Sequence, residues 1–567
     1  MISVLKFGSS ILRRDDDLPR AVHEIYRAVR LGRRVVAVVS ALGDATDALL
    51  QRARRLSGET TATAALVSTG EAQAAALLAL ALDQAGLRCS ILDARQAGLR
   101  ARGPTLDAEL VGVDAPRIRR ELNASGIAVV PGFVAQAASG ATRLLGRGGS
   151  DLTALFLAGA LEADCVLYKD VDGLYDADPN RDARAQRFTQ VRWETALSIG
   201  GGVVQEKALR FAQSRGLGFS VTAPGAAAAT RVGPGPDLHH ASRPGEPLRV
   251  ALLGHGTVGS GLYRHLAQLT DHFRVVGIAV RDPRKAEAAG APAELLADKC
   301  WRVLQRPADV VVELMGGSGL AARAIAASLK LGRHVVTANK TVIAWDGPRL
   351  EEIARAHRAH LYYSASVGGA LPALETLRRS AGEVQAFSGV LNSTSNFVLD
   401  SIAQGCAQRE AIEAAQRAGY AEADPRLDLN GTDAAQKLVI LARAAFGRAP
   451  DRIHCAGIAG LDLDDVRCAR RNGHAIRLVA TCRSTARGLT AAVAPQVLPL
   501  DHPLGATAGV ENRLFIERRA APPILLSAAG AGRWPTAEAV LADLYDLRNP
   551  APQGASTGFV GCLASNG

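Results

Sequence analysis

LRVALLGHGTVG, residues 248–259, decides how the second half of the chain folds. Leu248, Val250, Ala251, Leu252 and Leu253 form an apolar run of strand length. Gly254, Gly256 and Gly259 follow in G-x-G-x-x-G spacing, and a helical pattern comes next. A strand, a glycine turn and a helix bring backbone N–H groups to one place, where they can hold a pyrophosphate. A bare G-x-G-x-x-G says little; a strand before it and a helix after it make it a dinucleotide fingerprint. Gly254, Gly256, Thr257, Val258 and Gly259 are therefore the expected cofactor contacts. A second strand is expected over 275–280, ending in Arg281-Asp282-Pro283-Arg284-Lys285. An acidic side chain at that strand end would hold a ribose 2′-OH. Arg281 stands there instead and favours a 2′-phosphate, so NADP(H) is the expected cofactor. Asp282 leaves NAD(H) open.

Downstream, residues 419–437 read GYAEADPRLDLNGTDAAQK. Glu422, Asp424, Asp428 and Asp433 are crowded ahead of Lys437. Asn430-Gly431 is a turn dipeptide, and Thr432 is the expected cap of a helix through Lys437. On that helix Asp433 and Lys437 are four apart and share one face. A surface ion pair is the plain reading. The other is a site for a small amino acid, with carboxylates to hold an ammonium group and a lysine to move a proton. The segment resembles G-Y-x-E-x-D-P-x-x-D-x-x-G-x-D-x-x-x-K of the homoserine dehydrogenases at every fixed position. That resemblance implies that Glu422 and Asp428 bind the substrate's amino end, that Asp433 positions it, and that Lys437 is the acid/base. GRHVVTANK, residues 332–340, resembles a second segment of that family and implies that Lys340 faces the cofactor and the aldehyde. Residues 366–372, residues 391–396, and Gly530-Ala531-Gly532 leading into Thr536-Ala537 match as well. The last is expected to open a helix that returns to the nucleotide unit. Ser364 departs from the family, which usually has a carboxylate there beside carbonyls that hold a monovalent cation. Val367 and Gly369 can still offer carbonyls to such an ion.

The first third has the same grammar with different loops. Residues 2–7 read as a buried strand followed by Gly8-Ser9-Ser10. Residues 35–40 read as a second strand, followed by a helix containing Thr46. A third helix is expected to open at Ser68-Thr69-Gly70-Glu71. Strands alternating with helices imply a mainly parallel α/β sheet. The most informative stretch is 145–179, LGRGGSDLTALFLAGALEADCVLYKDVDGLYDADP. It opens a small-residue helix at Gly146-Arg147-Gly148-Gly149-Ser150-Asp151, then gives a strand over 164–168 and the loop Lys169-Asp170-Val171-Asp172-Gly173. The G-R-G-G-S-D, S-x-G-E and K-D-V-x-G-x-Y-x-x-D-P signatures resemble the amino-acid kinases, and aspartate kinase among them. The resemblance implies that Lys6 neutralises the transferred phosphoryl group and that Asp151 organises the site. Thr46, Glu71 and Arg147 would hold aspartate. Lys6, Gly8, Ser9, Asp170, Tyr175 and Asp178 would meet ATP with Mg²⁺. Phosphoryl transfer asks mainly for positioning and charge neutralisation. The Lys6-Phe7-Gly8-Ser9-Ser10 loop is one residue shorter than the usual K-F-G-G-[ST]-S. Val203 stands at the lysine of the usual G-A-K-V, with Lys207 one helical turn on. These departures keep open a kinase-fold module without activity, serving assembly or regulation.

Residues 224–247 are rich in Pro, Gly and Ala and read as a linker. His239-His240 within it reads as incidental. Long bifunctional aspartate kinase/homoserine dehydrogenases hold ACT domains at this place. With only a linker here, no separate site for threonine or lysine is expected. The resulting plan is an amino-acid kinase domain over 1–223, a linker over 224–247 and an NADP-binding Rossmann domain over 248–345. A catalytic and dimerisation domain over 346–529 and a returning helix plus tail over 530–567 complete it. The fold class is α/β, an amino-acid-kinase-like parallel sheet fused to a Rossmann domain with an α+β substrate domain.

The resemblances together imply two activities, ATP-dependent phosphorylation of L-aspartate and NADPH-dependent reduction of aspartate 4-semialdehyde to L-homoserine. Both lie towards threonine and methionine. The formal charge of +11 rests on scattered arginines without aromatic interleaving, so small-molecule substrates rather than nucleic acid are the expected partners. No apolar run reads as a bilayer span and no signal peptide is apparent, so no membrane is expected. The eight cysteines show no C-x-x-C or metal spacing, which fits a reduced, cytoplasmic protein. A homo-oligomer, dimer or tetramer, is expected.

Overall fold

Val35, Val36, Ala37, Val38 and Val39 are all fully buried, as are Val4 and Phe7 on the neighbouring strand. Strands covered on both faces carry continuous apolar runs, and such strands belong to parallel sheets clothed by helices. In the computed structural model, residues 1–549 are described apart from 180, 183, 200, 201, 241–245, 422, 423 and 531. Two units emerge, Met1–Gly245 and Glu246–Gly567. The first is built on a nine-stranded sheet. Its central strands are Phe219–Thr222, Asp164–Tyr168, Ile2–Phe7, Arg34–Val39 and Ile127–Pro131, all parallel. The strands expected over 2–7 and 164–168 appear with those bounds. A four-stranded sheet containing Arg100–Arg102 and Thr142–Leu144 lies in the same unit.

Three expectations for this unit need correction. Glu71 does not lie at a helix start. It sits in the middle of the helix Thr60–Gln84, which opens at Glu59, whose carboxylate takes the N–H groups of Thr61 and Ala62. Gly70 marks a close approach instead, because a Cβ there would stand 3.1 Å from Leu49 and 3.3 Å from Ala41. The same helix is long and apolar enough to cross a membrane, contrary to expectation. It buries Ala64, Val67, Ala74, Leu78 and Leu82 in the core of the unit instead. Residues 224–247 are not merely a linker. Thr230–Val232 and Leu238–His240 are strands of the nine-stranded sheet. Thr230 accepts the Leu174 N–H and donates to the Phe188 carbonyl, and His239 packs its ring 4.2 Å from that of Phe188.

The second unit carries a six-stranded, wholly parallel sheet. Its order is Leu296–Ala297, Phe273–Ala279, Leu248–Leu253, Val310–Glu313, His334–Thr337 and Leu361–Tyr362. The strand order reverses beside Leu248–Leu253, where open α/β sheets bind their ligands. The boundary expected at 345 falls inside the helix Lys340–Ala356, and the sixth strand lies beyond it. A two-residue edge strand is too short to show a periodicity. A mixed, largely antiparallel sheet of six strands follows, centred on His474–Thr485 and Val384–Val390. The helix Arg533–Arg548 returns to the parallel sheet's first helix as expected: Trp534 meets His265, and Tyr545 hydrogen-bonds His272 at 2.7 Å. The tail from residue 550, with Ser565, Asn566 and Gly567, lies outside the described residues.

Candidate active sites

In the second unit, the helix Thr432–Phe446 carries both Asp433 and Lys437 in its first turns. Thr432 is not its cap. Gly431 occupies that position at φ 83°, and the Asn430 side chain accepts the Thr432 N–H at 2.9 Å. The left-handed turn suits glycine, and the asparagine does the capping that threonine was expected to do. Asp433 is 3% exposed. Its two oxygens pair with Lys340 at 2.9 Å and Lys437 at 2.8 Å. The plain surface ion pair is thereby excluded, since a carboxylate this buried must be compensated. Burial alone would raise its pKa, but the two ammonium groups outweigh burial and hold it well below the usual carboxylate range. Lys437 also donates to the Leu391 carbonyl at 2.6 Å.

Asn392 completes the cluster. Its Nδ2 donates to Asp428 at 2.7 Å and to Asp433 at 2.8 Å, while its Oδ1 caps the helix Ser393–Ala403 through the Ser395 N–H. Burial first, and then the Asp433 charge, push the Asp428 pKa up. The structure therefore brings Lys340, Asp428, Asp433 and Lys437 together, with Asn392 between the two carboxylates. Asn392 lies within the matching residues 391–396, and its place just after the buried strand Val384–Val390 is the signal that points to it. Glu422 lies outside the described residues.

At the dinucleotide turn, Gly254 approaches the neighbouring loop so closely that a Cβ would lie 2.6 Å from the Leu314 carbonyl oxygen. Nothing stands within 4 Å of a Cβ built on Gly256, and the helix Thr257–Gln268 that follows has no side-chain cap. An open space before an uncapped helix N-terminus fits a pyrophosphate. Gly259 packs that helix against the turn, with a would-be Cβ 2.2 Å from the Gly254 oxygen. Thr257 is exposed, Val258 is half-buried and Arg281 is exposed. Asp282 accepts the Lys285 N–H as the cap of the helix Pro283–Ala288. Ser364 donates its N–H to Asp543 at 3.0 Å, and Val367 and Gly369 lie buried in the turn that follows.

In the first unit, the tips of the central strands Ile2–Phe7 and Asp164–Tyr168 meet the helix Gly149–Leu161. Asp151, 2% exposed, pairs with Lys6 on one oxygen and Lys169 on the other, each at 2.7 Å. Burial would raise its pKa, yet the two lysines hold it below the usual range. Burial, followed by the charge of Lys6, lowers Lys169 to about 8. Lys169 was given no role in the sequence, although it opens the K-D-V-D-G motif. Glu71 accepts the Ala41 N–H at 3.0 Å, and burial raises its pKa to about 8, with Lys6 and Thr46 opposing. Gly8 accepts the N–H groups of Ile11 and Leu12; Ser9, Arg147 and Asp170 are exposed. The Tyr175 hydroxyl donates to Asp172 and Asp178 pairs with Arg181, so both are engaged within their own loop. Val203 is half-buried against the core. Lys207 is held by Asp107 and by the carbonyls of Ala108 and Leu145. Two ammonium groups around one carboxylate, at the mouth of an uncapped helix, fit the charge of a nucleotide's phosphates.

Residues 372–545 match the homoserine dehydrogenase family model, residues 254–364 match the model of the homoserine dehydrogenase NAD binding domain, and residues 1–220 match the amino acid kinase family. The homoserine dehydrogenase of Corynebacterium glutamicum is 38% identical over 328 residues, covering 54% of this chain and 74% of the relative. That of Neisseria gonorrhoeae is 33% identical, covering 53% and 72%. Among solved structures, a homoserine dehydrogenase from Thiobacillus denitrificans superposes with a TM-score of 0.51 at 36% identity, covering 54% of this chain and 74% of that one.

Proposed function

Because this chain belongs to the homoserine dehydrogenase family, we propose that the Asp433 cluster converts aspartate 4-semialdehyde to L-homoserine, and that the amino-acid kinase domain ahead of it phosphorylates L-aspartate. The observation that carries the first reading is the buried Lys340–Asp433–Lys437 arrangement. The nicotinamide cofactor, when bound, supplies hydride chemistry at the aldehyde carbon. Gly254, Gly256, Thr257, Val258 and Gly259 would hold its pyrophosphate. Asp428 and Glu422 would bind the substrate's ammonium group. Two N–H groups of Lys437 are taken by Asp433 and Leu391, which leaves a third for the substrate oxygen. From there Lys437 protonates the developing alkoxide and recovers its proton from water. Lys340 stabilises negative charge on the same oxygen. The test is NADPH oxidation by the purified chain with aspartate 4-semialdehyde, and absence of turnover would refute the reading.

The capping of its own helix by Asp282 supports a cofactor preference for NADPH, since it leaves Arg281 to meet a 2′-phosphate. We expect a higher kcat/KM for NADPH than for NADH, and a loss of about tenfold for NADPH in Arg281→Ala, on the scale of one charge-assisted contact. Equal specificity constants for the two cofactors would refute it. For a cation at Val367 and Gly369, Ser364 offers a neutral hydroxyl in place of a charge, and Asp543 already accepts the Ser364 N–H. Exchange of the buffer cation for sodium or potassium should therefore change turnover little.

For the first unit, the Lys6–Asp151–Lys169 cluster supports phosphoryl transfer from ATP with Mg²⁺, with Thr46, Glu71 and Arg147 on the aspartate side. Gly8, Ser9, Asp170, Tyr175 and Asp178 would line the ATP side. The engagement of Lys207 by three oxygens favours a second reading, a kinase fold kept for assembly or regulation. Trapping of aspartyl phosphate as hydroxamate separates the two. The seven described cysteines are free thiols, which supports a cytoplasmic setting. Val497 and Leu525, exposed on the antiparallel sheet, support a homo-oligomer.

A further inference from the structure

Glu313 is fully buried at the end of the strand Val310–Glu313, and the chemistry described above does not use it. Its Oε2 accepts the Thr337 hydroxyl at 2.6 Å from the next strand. Its Oε1 accepts the N–H groups of Met315 at 2.8 Å and Gly316 at 3.3 Å. One carboxylate thus folds the loop that runs against Gly254 of the dinucleotide turn. The same carboxylate reaches the substrate side. Thr337 Oγ1 accepts the Asn339 N–H at 3.0 Å. Asn339 donates its Nδ2 to the Gly317 carbonyl at 2.8 Å, and its Oδ1 caps the helix Lys340–Ala356 through the Val342 N–H. The first residue of that helix is Lys340, whose ammonium stands 2.9 Å from Asp433.

We propose that Glu313 is a positioning residue that ties the cofactor loop to the Asn339 cap and so delivers Lys340 to Asp433. The inference rests on the dehydrogenase reading. A carboxylate is required because three donors converge on it. A glutamine has one acceptor oxygen. With that oxygen on the two amides, its NH₂ would face Thr337 Oγ1, which already accepts from Asn339 and would lose the acceptor for its own proton. A buried donor without a partner moves the loop, the cap, or both.

The test uses the full chain carrying Glu313→Gln, Lys340→Met, or both, with Thr337→Val as a milder break in the same link. Wild-type reduction of aspartate 4-semialdehyde is measured first, since its absence would overturn the dehydrogenase reading and this inference with it. Expected for Glu313→Gln is a melting midpoint near wild type, an NADPH dissociation constant raised about tenfold by fluorescence titration, and a kcat lowered about tenfold. If Glu313 acts through Lys340, its effect on kcat is absent in the Lys340→Met background while its effect on NADPH binding persists. Thr337→Val should repeat the pattern more weakly, and it alone decides if Glu313→Gln does not fold. Wild-type kinetics in the variant that folds would overturn the inference. A fully additive loss of kcat in the double variant would overturn it too.

Discussion

Lys437→Ala should abolish homoserine turnover and leave NADPH binding intact. General acid–base groups contribute roughly 10²–10⁴ in rate. Lys437 also holds Asp433, so we expect a fall in kcat of about 10³ or more, equivalent to about 4 kcal/mol of barrier. The fold should survive. Stripping a buried carboxylate of its whole compensation costs about 3–5 kcal/mol, but Asp433 keeps Lys340 at 2.9 Å and Asn392 at 2.8 Å. The pH dependence has a definite sign. The Asp433 pKa is depressed in the folded chain, so its pairing stabilises the fold above the ordinary carboxylate range, near about 4, and is lost as pH falls below that range. Removal of Lys437 weakens the depression, so the variant starts with less of this stability at neutral pH and loses less of it on acidification than wild type. Homoserine oxidation rates, NADPH fluorescence titration and acid unfolding together check this. Near-normal turnover in the variant would remove Lys437 from the mechanism.

The parts of the fold that were legible beforehand share one property. Ile2–Phe7, Asp164–Tyr168 and Leu248–Leu253 are short, largely apolar segments followed by a glycine or a charge, so the signal for a buried parallel strand lies wholly inside each segment. Thr230–Val232 and Leu238–His240 do not read as strands because three residues within a stretch rich in Pro, Gly and Ala are too few to show a periodicity. The helix Thr60–Gln84 was entered too late, because Gly70 looks like punctuation when its work is to let two surfaces approach. The same limit applies to the sites. Asp433 and Lys437 were legible, since a helix fixes neighbours four apart. Lys340 reaches Asp433 from a different helix, and only the family motif pointed to it. Asn392, Lys169 and Glu313 act across strand ends. Asn392 meets Asp433 41 residues on, Lys169 meets Asp151 18 residues away and Glu313 meets Thr337 24 residues on, and no spacing rule reaches that far.

The second large effect is expected in the first unit. Asp151→Asn should lower aspartyl hydroxamate formation by about a hundredfold or more and leave the dehydrogenase rate of the same preparation unchanged. Asp151 pairs with both Lys6 and Lys169, at 2.7 Å each. Phosphoryl transfer depends on positive charge held in place before the phosphates arrive. Without the carboxylate, two buried ammonium groups are left to repel one another. Burial and then Lys6 already bring Lys169 down to about 8, with Asp151 opposing them. Its loss lowers Lys169 further, so the group sheds its proton at lower pH than in wild type and its charge is lost there. A lysine is charged below its pKa. The wild-type kinase rate should therefore fall as pH rises through about 8, and the residual rate of Asp151→Asn should fall at lower pH. Hydroxamate trapping from neutral to mildly alkaline pH reads both limbs. A variant with wild-type rates would refute the role of Asp151. A wild-type chain that forms no hydroxamate while its dehydrogenase half turns over would establish the first unit as a kinase fold without kinase activity.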